Sequence, residues 1–132
     1  MHRRLAPILA LGLMACTSGT MAEDRVPAGS WGGEHVRLSI TDTGGTVEFD
    51  CAHGTLDAPL KVDTDGRFNV PGSLMREGGP VRPGREEGKQ SVRYSGRLDG
   101  SIMDLDLLGE AGDSLGSFRL KLGDQGKLFK CL

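Results

Sequence analysis

Aromatic side chains are scarce in this chain: Trp31 and Tyr94 are the single tryptophan and tyrosine, joined by only four phenylalanines. With 21 glycines in 132 residues, that composition disfavours a helical bundle and suits short strands joined by tight turns. Basic residues are also in deficit, sixteen Lys and Arg against eighteen Asp and Glu. Loss of a leader containing Arg3 and Arg4 takes the net charge from −2 to about −4, which excludes the footprint of a nucleic-acid binder. Long apolar runs are lacking too. The one that exists, Leu5 to Leu13, is too short to span a bilayer as a helix.

That short run reads as an export signal. His2-Arg3-Arg4 supplies a positive start, Leu5 to Leu13 an apolar core, and Leu13-Met14-Ala15-Cys16 resembles the lipobox at which bacterial lipoproteins are diacylated and cut. Residues 1–15 are therefore expected to be a signal peptide, residues 16–29 a flexible tether lipidated on Cys16, and residues 30–132 a single β domain. Thr17 is not the aspartate that marks inner-membrane retention, so an outer-membrane lipoprotein facing the periplasm is the expected location. Thr20-Met21-Ala22 resembles an ordinary signal-peptidase site, and plain secretion is the alternative.

Cysteines are few, and their number agrees with export. Either cleavage leaves Cys51 and Cys131 as an even pair in an oxidising compartment, where a disulfide is the default. No histidine stands at finger-like spacing from them, which makes zinc a poor fit.

What the chain has in abundance is alternation. Val36, Leu38 and Ile40 face one way and Arg37, Ser39 and Thr41 the other, then Val47, Phe49 and Cys51 repeat the pattern after the Asp42 to Gly45 turn. The phase slips after Cys51, and Gly54 is the natural place for a bulge. Leu60 and Val62 predict a third strand and Phe68 and Val70 a fourth, ended by Pro71-Gly72. Residues 72–90 show no period and read as a long loop. Val92 to Leu98, Met103 to Leu107, Phe118 to Leu122 and a last strand with Phe129 and Cys131 inward complete the series. Basic residues Arg93 and Arg97 stand opposite Asp104 and Asp106 across the Asp99-Gly100 turn, a pairing that helps set register.

The predicted fold is all-β: an antiparallel up-and-down meander of about eight strands, closed as a small barrel or flattened as a sandwich. Cys51 and Cys131 then end strands of the same direction at the same rim. Strands separated by one neighbour lie about 9–10 Å apart, too far for a disulfide, so Cys51 must curl over the rim or the strand order is not a simple meander.

Taken together, Trp31-Gly32-Gly33-Glu34-His35, Cys51-Ala52-His53-Gly54, Gly66-Arg67-Phe68, Gly78-Gly79-Pro80-Val81 and Phe129-Lys130-Cys131 resemble a group of small exported bacterial proteins to which no activity is assigned. The strand pattern is similar in architecture to lipocalin-like and avidin-like barrels, without a biotin-site pattern or a complete lipocalin signature. That likeness implies shape alone.

Chemistry has few candidates. Trp31, His53 and Tyr94 are the candidate ligand contacts: a lone tryptophan at the barrel entrance, a histidine two residues past an inward cysteine, and an inward tyrosine. Each also has a structural reading, Trp31 as a plug of the barrel floor whose indole N–H needs a partner and His53 as a histidine bonded to backbone at a bulge. Asp63, Asp65 and Gly66 resemble a calcium loop but lack its downstream glutamate, and the same residues are ordinary turn chemistry. Ser30, Ser73 and Ser91 lack the glycines of a nucleophile elbow, so no catalytic residue, metal or cofactor is expected. The expectation is a non-enzymatic envelope protein, a monomer, holding a small apolar or amphipathic ligand in the barrel interior or its mouth. The alternative is a protein whose loops contact an envelope protein or the cell wall.

Overall fold

A computed structural model describes residues 24–77 and 89–131. The alternation of apolar and polar side chains resolves into eight strands, β1 (Gly29–Gly33), β2 (Val36–Ile40), β3 (Gly45–Phe49), β4 (Ala52–Leu56), β5 (Arg67–Arg76), β6 (Lys89–Asp99), β7 (Ile102–Leu108) and β8 (Ser114–Leu122). Each pairs antiparallel with the next, and β8 returns to β1 to close a barrel in simple meander order. Of the two predicted forms, the closed barrel is the one found.

The count of strands agrees with the sequence reading, but their membership does not. Trp31-Gly32-Gly33 is itself a strand, and Ala52–Leu56 is another. Leu60 to Val62, expected as a strand, instead crosses one end of the barrel, where Lys61 makes an isolated bridge to Arg25 and Leu60 is buried. The expected last strand is absent as well: Phe129 is 62% exposed and Cys131 is exposed, not inward. Pro71-Gly72 does not end β5, which continues to Arg76, so the predicted loop over residues 72–90 gives up both its ends to β5 and β6. The rest of that loop lies outside the described residues, as do the leader, Cys16 and the tether up to Glu23.

From Asp24 on, the expected tether belongs to the domain. Val26 is buried, its amide donates to Leu60 O at 3.0 Å, and the Val62 amide donates to Asp24 O at 2.9 Å. These two segments form the barrel floor. Trp31 lies above it, fully buried, with its indole N–H donating to Pro27 O at 3.0 Å, the partner that such a burial requires.

The phase slip after Cys51 is absorbed by the Asp50–Cys51 turn and not by a bulge at Gly54. Gly54 sits in regular register opposite Val47 and Leu74, facing inward. It is glycine because a β-carbon there would stand 2.0 Å from Ser73 O and 2.4 Å from the Tyr94 hydroxyl. Gly72 is bare for the same ring, its β-carbon position lying 2.7 Å from Tyr94 Cε2. Inward glycines thus make room for the few aromatics. Trp31, Tyr94, Leu38, Met103 and Leu105 fill the interior, all at 0% exposure. On the outer face Asp104 lies opposite both Arg97 and Arg119, with Arg119 Nε 3.1 Å from its Oδ1. Such an exposed pair contributes a few tenths of a kcal/mol, roughly, and helps the register more than the stability.

After β8 the chain runs back along the outside of the barrel. Lys127 bridges Glu34 in parallel, its amide donating to Gly33 O at 2.9 Å while the His35 amide donates to Lys127 O at 2.7 Å. This segment, residues 123–131, is a strap over β1. The β1–β8 seam beneath it is only two residue pairs long, Trp31 with Leu122 and Gly32 with Lys121.

Candidate functional site

In a meander the odd-to-even turns share one end, so Glu34–His35, Asp50–Cys51, the end of β5 and the β7–β8 turn gather opposite the floor. The strap delivers Cys131 to the same end, where it is disulfide-bonded to Cys51 with a Cα–Cα distance of 5.2 Å. The difficulty of spanning two strands does not arise, because neither cysteine is in a strand: one is in a turn and the other in the strap.

Two histidine–carboxylate pairs flank the bridge. His35, at φ +69° in its tight turn, brings Nδ1 to 2.6 Å from Asp50 Oδ2, and Asp50 Oδ1 accepts the Phe129 amide at 2.8 Å. His53 Nδ1 lies 2.8 Å from Glu77 Oε2, and Lys130 Nζ donates to both Glu77 oxygens at 3.1 and 3.2 Å and to Phe49 O at 3.0 Å. The Phe129 amide, then His35, holds the Asp50 carboxyl below its ordinary range. Glu77 is lowered by its hydrogen bonds from His53 and Lys130. Both carboxylates thus tie the strap to the rim.

Between these groups the barrel opens in a cleft of about 440 Å³. Its walls are inward residues near the strand ends: Phe49 of β3, Ala52 of β4, Leu74 of β5, Leu107 of β7 and Phe118 of β8, with Leu115 at its edge. Phe49 and Phe118 meet across it with ring centroids 4.9 Å apart. Arg76 continues the inward row Phe68, Val70, Gly72, Leu74 and reaches the lip, where it lines the cleft with Asp50 and Glu77.

The three residues singled out in the sequence as ligand contacts are not brought together here. Trp31 lies in the interior above the floor, Tyr94 is fully buried with its hydroxyl donating to Ser73 O at 2.7 Å, and His53 stands on the outer face against Glu77. None of the three lines the cleft. Burial pushes the Tyr94 phenol well up, with Asp57 adding to the effect, so it is a neutral donor at physiological pH. Asp63 spends its Oδ1 on the amides of Asp65 and Arg67, at 2.8 and 2.9 Å, as turn chemistry does. Among the described residues no three His, Cys, Asp or Glu side chains are grouped to hold a metal. Leu74 and Arg76, which line the mouth, lie past Pro71-Gly72, a pair that resembles a strand end in the sequence although β5 continues through it.

The chain matches no protein family, no curated protein and no solved structure.

Proposed function

We propose that this is an exported, non-enzymatic binding module of the cell envelope that takes a small ligand in the mouth of its barrel. The observation that supports this is the apolar cleft of about 440 Å³ beside the disulfide, a size and lining typical of small-molecule sites. The ligand meets the mouth and not a deep lumen, because Trp31, Tyr94 and Met103 occupy the interior. The disulfide and the two histidine–carboxylate pairs support the rim, as a binding site requires of the elements that carry it.

Titration with the neutral apolar dye Nile red tests this reading. A one-to-one complex is expected with the unaltered protein, and Ala52→Phe, which fills the cleft from its half-buried wall, should weaken it about tenfold with an unchanged melting temperature. Absence of saturable binding overturns the reading. Phe129 at 62% and Leu115 at 39% exposure at this same end favour a second one, in which the rim contacts an envelope protein.

A further inference from the structure

We infer that the ligand is a single-chain amphipathic anion, its apolar chain between Phe49, Leu74, Leu107 and Phe118 and its carboxylate on Arg76. This rests on the mouth being a binding site and assigns the chemistry of its occupant. Strand parity carries the first step. The row Phe68, Val70, Gly72, Leu74 faces the interior, and the next position on that row is Arg76. The other strand residues that line the cleft, Phe49, Ala52, Leu107, Leu115 and Phe118, are apolar. A guanidinium in that position tops an apolar wall. Its planar fork matches a carboxylate with two parallel hydrogen bonds, which a hydroxyl or an ester cannot reproduce.

The two carboxylates at the lip do not stand bare toward the cleft. Instead Asp50 is bonded to His35 and the Phe129 amide, and Glu77 to His53 and Lys130. Those hydrogen bonds hold both carboxylates to the strap and the turns of the rim. Arg76 is the one Lys or Arg side chain among the described residues that line the cleft and so the one available to a carboxylate, and the apolar walls set the character of the rest of the ligand.

Calorimetric titration with decanoate, decanol and decylamine, below their aggregation limits at neutral pH, tests the assignment. Decanoate should bind at least about tenfold more tightly than decanol, and decylamine more weakly than either. Arg76→Gln should bring decanoate down to the level of decanol, and Arg76→Glu should reverse the order of decanoate and decylamine. Melting curves verify that both variants fold. If none of the three compounds binds, the mouth is not a ligand site and both readings fall. Decanol binding as tightly as decanoate overturns the anion assignment while keeping the site. A decanoate preference that survives Arg76→Gln overturns the role of Arg76.

Discussion

The Tyr94 hydroxyl stands 2.4 Å from where a β-carbon at Gly54 would lie, so these two residues, 40 positions apart, divide one space in the barrel wall. The Ser73 carbonyl, which accepts from that hydroxyl at 2.7 Å, crowds the same point at 2.0 Å. Gly54→Ala is expected to destabilise the fold by about 3 kcal/mol, as overpacking of a filled core does. Chemical denaturation measures it. A cost under about 1 kcal/mol would mean that the ring has room to move.

Tyr94→Phe removes the hydrogen bond from the buried phenol to the half-buried Ser73 carbonyl and should cost about 1 kcal/mol. Combined with Gly54→Ala the two costs should sum to more than the double variant shows, because removing the hydroxyl relieves one of the two clashes. A strictly additive pair would disprove the shared space.

The same glycines explain which parts of the fold were legible in the sequence. Where inward positions carry apolar side chains, as in Val36-Leu38-Ile40 or Met103-Leu105-Leu107, hydropathy shows the strand directly. At Gly32, Gly54 and Gly72 the inward or covered position is bare, and β1, β4 and the upper half of β5 carry no readable phase. Phe129 and Cys131 mislead in the other direction, alternating like a strand although hydrogen bonds to Asp50 and Phe49 hold their segment outside the barrel. The disulfide was legible from cysteine number alone. The mouth was not, because its marker, Arg76, is a charge on an inward row, visible only once β5 is known to continue past Pro71.

Cys51 and Cys131 are 80 residues apart, and a bridge closing such a loop is expected to contribute about 4–5 kcal/mol through the unfolded chain. Reduction, or Cys51→Ser with Cys131→Ser, should lower the denaturation midpoint accordingly. It should also release the strap, seen as faster hydrogen exchange at the Lys127 and His35 amides than at the amides of β6. Equal protection in the oxidised and reduced protein would show that the strap holds without the bridge.

Acid should loosen the strap. Asp50 and Glu77 are both held below their ordinary values of 3.8 and 4.5, so the stability they contribute is complete above those values and is lost as pH falls through the lowered ones. Melting temperature should be flat with respect to these two groups from about pH 7 to pH 5 and fall below about pH 4. Asp50→Asn should lower the plateau and shrink the acid slope. An unchanged slope would place the acid sensitivity elsewhere.

The location of the protein is testable through Cys16. If the chain is lipidated there, as Leu13-Met14-Ala15-Cys16 leads us to propose, Cys16→Ser should move it from the membrane fraction to the soluble one, and the unaltered protein should carry the mass of a triacylated N-terminus. A mature chain beginning at Glu23 would refute the anchor. The fold gives the result a further consequence. Asp24 joins the domain at the floor, where its carbonyl accepts the Val62 amide, and the cleft lies at the opposite end. A chain anchored through its N-terminus would therefore be tethered from its floor end, with the mouth at the far end of the domain.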